Sequence, residues 1–233
     1  MQSDEQKINQ IKMQLDAHSN TSIYQDIRIT SKNVLYGFAV HRNVLNPKKV
    51  TALFLSQWLA SHNELYRNKD VIDMGCGSGI QGIVMGLQGA NKITFADISE
   101  YAINNTKDNV IEYGLVEDSR IVQGDLFENI NDKSDIIVFN HPFFIGNYDK
   151  NKPVSISMVD NGSLLHRFFN DAKDFLRDNG LIIMPYFHFA GLENDPGIQI
   201  KMHPEYSLID KHTENINTEL HKGPASIYQI ELK

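Results

Sequence analysis

The sequence predicts an α/β fold: an open, twisted, mostly parallel sheet of seven strands with an antiparallel strand at one edge and helices on both faces. Two observations support it. From residue 70 onward, short apolar segments alternate with helical patterns, which is typical of parallel strands joined by crossover helices. Near the end, strand patterns over 206–213 and 226–232 follow each other without a clear helix between them, which predicts the antiparallel edge.

The first part of the chain predicts an extension in front of this sheet. Residues 4–17 carry apolar side chains every three or four positions, the spacing of an amphipathic helix. Residues 24–47 contain short apolar alternations that predict one or two short strands or an irregular arm. Pro47 is expected to begin a helix that ends near Ser61, since proline is favoured in a first helical turn.

The alternating region supplies the other strands and helices in order. Five apolar segments predict strands, namely DVIDM (70–74), KITFAD (92–97), RIVQGD (120–125), DIIVFN (135–140) and GLIIMPYF (180–187). Helices are predicted between them at about 79–89, 99–114 and 163–178. No linker rich in proline, glycine or serine interrupts the chain. We therefore expect an N-terminal arm over residues 1–46 and one α/β domain over residues 47–233.

The composition excludes several classes of protein. A formal charge of −7 disfavours nonspecific binding of nucleic acid, which usually requires a basic surface. One cysteine permits neither an intrachain disulfide nor a cysteine-based zinc site, and the scattered histidines lack metal-ligand spacing, so no metal is predicted. A polar start without a signal-peptide core, and no apolar run of membrane-spanning length, predict a cytoplasmic protein without a membrane partner.

The glycine-rich turn VIDMGCGSGIQG, which follows the first strand of the alternating region, has two possible registers. Residues 77–82 spell G-x-G-x-x-G with Asp97 about 20 positions further on, as in a dinucleotide site. That motif expects its first glycine at the strand end. The second register, D-x-G-x-G-x-G over residues 73–79, instead places Asp73 there. A carboxylate at this point would repel a pyrophosphate and suits a ligand with an ammonium group. A third possibility is that the glycines form only a tight turn.

The second register resembles the class I S-adenosylmethionine-dependent methyltransferases, a Rossmann-like family. Over residues 47–233 the resemblance includes the ordered strand ends at Asp97, Asp125 and Asn140. It implies that S-adenosyl-L-methionine is the cofactor, that Asp97 binds its ribose hydroxyls, and that Asp125 lies beside its adenine amino group. The cofactor-binding residues implied in this way are Asp73, Gly75, Cys76, Gly77, Asp97, Ile98, Asp125, Leu126 and Asn140.

The segment FNHPF, residues 139–143, resembles the Asn-Pro-Pro-Tyr/Phe signature of small-domain amino-methyltransferases, including the glutamine methyltransferases of release factors. The resemblance implies methyl transfer to a planar amino or amide nitrogen. Such a nitrogen is a poor nucleophile, and two acceptors, the Asn140 side-chain oxygen and the His141 carbonyl, would bind its hydrogens and aim it. His141 replaces a proline of the signature. Asn140, His141, Pro142 and Phe143 are therefore the predicted catalytic residues.

The acceptor would be protein glutamine, a nucleobase or a small molecule. Phe143 and Phe144 are predicted to contact it through their rings. Thr51 is a further candidate, because the helix before the glycine turn resembles the corresponding helix of the release-factor enzymes, where a threonine lies near cofactor and substrate. Two alternatives stay open: a nicotinamide-dependent oxidoreductase that uses the 77–82 register, and a non-catalytic binding protein on a methyltransferase scaffold.

Overall fold

A computed structural model of the protein describes residues 2–18 and 22–233. The α-helices are α1 (Asp4–Ala17), α2 (Thr51–Ser61), α3 (Ile80–Leu87), α4 (Glu100–Glu112), α5 (Leu164–Phe175) and α6 (Pro196–Gln199). The strands are β1 (Ile23–Arg28), β2 (Val34–Val40), β3 (Asp70–Met74), β4 (Lys92–Asp97), β5 (Ser119–Gln123), β6 (Ser134–Phe139), β7 (Phe144–Ile145), β8 (Val159–Asp160), β9 (Leu176–Phe187), β10 (Tyr206–Asn217) and β11 (Lys222–Leu232).

The central sheet has seven strands in the order β10-β11-β9-β6-β3-β4-β5. Strands β3, β4, β5, β6 and β9 pair in parallel, whereas β11 is antiparallel to both of its neighbours. The predicted sheet, with an antiparallel hairpin at one edge, is confirmed. The centre of the sheet is apolar and inaccessible to solvent. Ile136, Ile137 and Val138 of β6 are fully buried there, as expected for a strand covered on both faces. The carboxyl ends of β3, β4, β5 and β6 therefore meet at one edge.

Several predicted boundaries move in the structure. The helix expected from Pro47 begins instead as a 3-10 turn over Pro47–Lys49, because the Asn46 side chain accepts the Lys48 N–H and Val50 is extended at φ −133°. Helix α5 ends at Phe175, earlier than predicted, and β9 follows at once. Strands β10 and β11 are longer than predicted because their pairing continues to Asn217 opposite Lys222.

The N-terminal arm packs onto the rest of the molecule. Strands β1 and β2 form an antiparallel hairpin, and Phe38 contacts the Tyr113 ring at a centroid distance of 6.0 Å. Helix α1 begins with a capping box in which Ser3 and Gln6 bind each other's backbone N–H groups. Met1 and residues 19–21 of the predicted arm lie outside the described residues. The division at residue 46 stays a prediction.

Candidate functional site

A cavity of about 420 Å³ opens where the parallel strands end. Open α/β sheets bind ligands in this crevice. The lining contains predicted site residues from four consecutive strand ends: Gly75, Asp97, Ile98, Asp125, Leu126, Asn140 and Pro142. The rest of the wall comes largely from the segments around residues 146–148 and 156–164. The structure thus brings most of the predicted cofactor-binding residues together around one space.

The glycine turn brings its backbone to the cavity at Gly75. This residue has φ +60°, and an added Cβ would lie 3.1 Å from the Phe139 ring, so a side chain here would be both strained and crowded. Cys76 and Gly77 follow in the turn but are outside the cavity lining. The Cys76 thiol is buried, with Sγ 3.3 Å from the Thr106 hydroxyl. Their contact with the cofactor stays a prediction.

Asp73 also lies behind the cavity wall. Its Oδ2 accepts the backbone N–H of Gly82 at 2.9 Å, and its burial raises the pKa of the carboxyl to about 8. The side chain therefore stabilises the turn and does not face the cavity directly. Gly82, the last glycine of the alternative dinucleotide register, packs so closely that an added Cβ would lie 2.2 Å from the Phe95 ring. Helix–strand packing is sufficient to explain that glycine.

Asp97 lies at the end of β4 with its carboxylate fixed by two backbone groups. Oδ1 accepts the N–H of Ser99 at 2.8 Å, and Oδ2 accepts the N–H of Gly77 at 3.0 Å. Burial raises the pKa of this carboxyl, while these N–H groups oppose the rise. Each oxygen has a further lone pair. The group can therefore accept hydrogen bonds from a ligand with two neighbouring hydroxyls.

Asp125 forms a bidentate ion pair with Arg167 of α5. The Arg167 Nη1 and Nη2 atoms lie 3.0 and 2.5 Å from the two carboxylate oxygens, and both side chains line the cavity. The carboxylate raises the pKa of the guanidinium. Because both side chains are about half exposed, the pair contributes little to stability but fixes the direction of Asp125.

A second, small cavity adjoins the first at Asn140. It has a volume of about 20 Å³, enough for one water-sized group, and Asn140 and Ser157 line both cavities. The other residues around it are Gln14, Leu45, Val50, Thr51, His141, Phe143, Phe144, Met158 and His221. The predicted acceptor residues Thr51, Phe143 and Phe144 therefore face this second space and lie outside the lining of the large cavity.

His141 is buried behind the strand end. Its Nε2 lies 2.9 Å from the Asn194 carbonyl, and its ring stacks on Tyr186 at a centroid distance of 5.9 Å. Burial lowers the pKa of the imidazole to about 4, so the ring is neutral near pH 7. Because a carbonyl only accepts, Nε2 carries the proton and donates it. The imidazole therefore holds the motif in place and contributes no charge.

Gln14 and His221 are among the small-cavity residues that sequence reasoning missed. The Thr51 hydroxyl lies 2.6 Å from His221 Nδ1 across 170 positions of sequence, and Gln14 comes from the N-terminal helix. Neither residue belongs to a local motif. The described residues contain no group of three or more histidine, cysteine or acidic side chains able to hold a metal ion. Among the described helices, none has the length and apolar character needed to cross a membrane.

Comparisons with known proteins agree on one family. The family model "Methyltransferase small domain" matches residues 46–195, more than half of the chain. A Methanocaldococcus jannaschii protein, provisionally named a protein N5-glutamine methyltransferase, is 29% identical over 148 residues, which are 61% of this chain and 72% of that one. The release factor glutamine methyltransferase of Borreliella burgdorferi is 28% identical over 158 residues, 63% of this chain and 54% of that enzyme. The chain thus spans about half the length of the second relative.

Solved structures agree on the fold. The Thermus thermophilus 16S rRNA N2 G1207 methyltransferase, solved in complex with AdoMet and guanosine, superposes with a TM-score of 0.63 and 17% identity. The match covers 92% of this chain and 52% of that one. The family match and the shared fold give the same result: this chain belongs to the methyltransferase small domain family, whose members are S-adenosylmethionine-dependent methyltransferases.

Proposed function

We propose that the protein transfers a methyl group from S-adenosyl-L-methionine to a planar amino or amide nitrogen. One observation carries the proposal. Asn140 lies in the wall shared by two cavities, of which the larger is lined by Asp97 and Asp125 and the smaller by Phe143 and Thr51. A side chain in this position can contact a methyl donor on one side and a methyl acceptor on the other.

The residues of the large cavity fit the cofactor. Asp97 offers two fixed oxygens for ribose hydroxyls, and Asp125 offers an acceptor for the adenine amino group. Ile98 and Leu126 give apolar surfaces for the flat base. Gly75 lets the backbone approach the ligand. When bound, the cofactor supplies a methyl group on a positively charged sulfur.

The residues of the strand-end motif position the acceptor. The Asn140 side-chain oxygen and the His141 carbonyl accept the two hydrogens of the nitrogen, which orients its lone pair. They also stabilise the positive charge that develops on the nitrogen as the new bond forms. A strong base is not needed, because the nitrogen becomes acidic as it is alkylated and its proton can then pass to water. The neutral His141 ring is consistent with this division of roles.

The acceptor class is a protein glutamine, a nucleobase or a small molecule. The names of the relatives include glutamine methyltransferases, and a structural neighbour is named for a guanine of 16S rRNA. The matches cover about half the length of two of these proteins. We therefore propose their substrate classes for this chain. The net charge of −7 favours a protein or small molecule over bulk nucleic acid. A cytoplasmic location stays a prediction.

Two measurements test the proposal. Thermal stabilisation by S-adenosylhomocysteine but not by NAD(H) would assign the cofactor, and the opposite result would favour the oxidoreductase. Transfer of a tritiated methyl group into fractionated lysate would then show whether protein, RNA or small molecules accept it. Asn140→Ala should abolish transfer and leave cofactor affinity nearly intact, whereas the exposed control Asn170→Ala should behave as wild type. Full activity of Asn140→Ala would refute the amino-methyltransferase mechanism, and cofactor binding without transfer to any fraction would favour the non-catalytic alternative.

A further inference from the structure

Helix α1 buries an amide that packing does not explain. Among its described residues, Gln14 is the fully buried side chain, with 2% of its surface exposed, whereas Ile8 and Met13 are 50% and 45% exposed. Its Nε2 atom has no hydrogen-bond partner within the described part of the chain. Burying an unpaired amide destabilises a protein. An apolar residue would be the better choice here if the helix served only the core.

The buried amide points to the small cavity. Gln14 lines that space together with Asn140, Phe143 and Thr51, the residues expected to receive the methyl acceptor. The remaining volume beside it, about 20 Å³, accommodates one water-sized group. A primary carboxamide of the chain itself therefore borders the space where the proposed function requires a planar NH2 group.

Helix α1 is held by few strong contacts. Lys7 pairs with Glu193 at 3.4 Å and Asp16 with Lys152 at 3.2 Å, both at the surface. Surface ion pairs of this kind contribute little to stability. The Gln10 amide donates to the Leu220 carbonyl at 2.6 Å. The apolar residues of the helix that reach the core are only partly buried. Withdrawal of α1 therefore disrupts little of the apolar core.

We propose that α1 is an intramolecular pseudosubstrate. The Gln14 side chain blocks the acceptor pocket beside Asn140 with its Nε2 unpaired, and α1 withdraws before an external primary carboxamide, such as a glutamine side chain, enters and binds the two acceptors that Gln14 does not bind. This proposal rests on the proposed function and specifies its acceptor class. The affinity for the acceptor is then reduced by the fraction of molecules in which the pocket is open.

The test uses the full chain and a defined acceptor, Nα-acetylglutamine N-methylamide, with tritiated S-adenosylmethionine. Gln14→Ala should raise kcat/KM for this probe by about tenfold or more, because the pocket no longer needs to open. Gln14→Met refills the same space and removes the unpaired amide, which favours the docked helix, so it should not raise kcat/KM. Met13→Ala, on the exposed side of α1, should behave as wild type. Guanosine should not gain label with any variant.

Binding of S-adenosylhomocysteine, measured by calorimetry on each protein, separates the possible failures. Equal transfer by wild type and Gln14→Ala with equal cofactor affinity would overturn the pseudosubstrate and leave the proposed function intact. Cofactor binding without transfer to the carboxamide, or with transfer to guanosine instead, would overturn the carboxamide assignment. Failure of the wild type to bind the cofactor would overturn the proposed function itself.

A second measurement requires no substitution. Hydrogen exchange of the wild-type α1 amides, followed by mass spectrometry, should accelerate when the carboxamide probe is added in the presence of S-adenosylhomocysteine, since probe and Gln14 compete for one pocket. Nα-acetylmethionine N-methylamide, which lacks the side-chain amide, is the matched control and should have a smaller effect. Unchanged exchange at saturating probe would overturn the proposal even if Gln14→Ala failed to fold.

Discussion

The backbone carbonyl of Asn194 lies 2.9 Å from Nε2 of His141, directly behind the strand-end motif. The Asn194 side chain continues the contact, because its Nδ2 lies 3.3 Å from the Pro142 carbonyl and 2.6 Å from Oδ1 of Asp160. Asp160 in turn accepts the backbone N–H of Leu164 at the start of α5. The motif, the cavity wall and the helix that carries Arg167 are thus connected through one asparagine.

This arrangement predicts how substitutions of His141 behave. His141→Ala leaves the Asn194 carbonyl without its donor, and we expect a loss of about 1–3 kcal/mol in unfolding free energy. His141→Gln places an amide near the Nε2 position and should lose less. His141→Pro matches the family signature but also removes the donor, so it should resemble the alanine variant. Urea unfolding measures all three, and a proline variant as stable as wild type would contradict the anchoring role.

Asp97 provides a test of the large cavity. Its carboxylate is held toward the space by the N–H groups of Gly77 and Ser99. Asp97→Ala removes charge-assisted hydrogen bonds of about 1.5–3 kcal/mol each, so S-adenosylhomocysteine affinity should fall by roughly tenfold or more. Calorimetric titration measures this, with the exposed Asp132→Ala as control. Unchanged affinity in a folded Asp97→Ala protein would mean that the cofactor does not lie here.

The sequence predicts the sheet and the large cavity because both depend on local patterns. Apolar runs mark the strands, and Asp97, Asp125 and Asn140 each directly follow one. Parallel strands in one sheet end at the same edge, so their terminal residues lie close together. This can be predicted before any side-chain packing is known. The position of the cavity follows from this rule together with the family resemblance, whereas the order of the strands was not predicted.

The small cavity could not be predicted in the same way. Gln14 reaches it from a helix that the sequence marks only as amphipathic, and His221 reaches it from the last hairpin. Phe143 faces this space because the chain turns after Asn140, where His141 is held against the Asn194 carbonyl. Such contacts join distant segments through tertiary packing, and one sequence contains no periodic signal for them.

Two buried histidines predict a pH dependence of stability. Burial lowers the pKa of His141 to about 4 and that of His221 to about 3, from 6.5 in each case. Between about pH 6.5 and 4 these two histidines therefore bind more protons in the unfolded chain than in the folded chain, whereas the raised pKa values of Asp73 and Asp97 act in the opposite direction and cancel when variants are compared. The contribution of the two histidines is fully present above pH 6.5 and is lost as the pH falls, at about 1.4 kcal/mol per pH unit for each histidine.

The measurement compares unfolding free energies at pH 7 and pH 5. His141→Gln removes one of the two groups, so its loss of stability between these values should be smaller than that of wild type by about 2 kcal/mol. His212→Gln removes an exposed histidine and should show the wild-type loss. An identical pH dependence in the His141→Gln protein would show that this imidazole is not held neutral by burial.

Gln14 gives a prediction about stability that is independent of catalysis. Gln14→Met keeps the length and helix propensity of the side chain but removes an amide whose Nε2 has no partner in the described chain. We expect the unfolding free energy to rise by about 1–3 kcal/mol, since the penalty of burying an unpaired polar group disappears. Met13→Ala, one position away, lacks this effect because Met13 is exposed.

A Gln14→Met protein less stable than wild type would show that the amide is paired in solution. A rise would show that the chain retains a destabilising glutamine beside the small cavity, in agreement with the proposed role of α1.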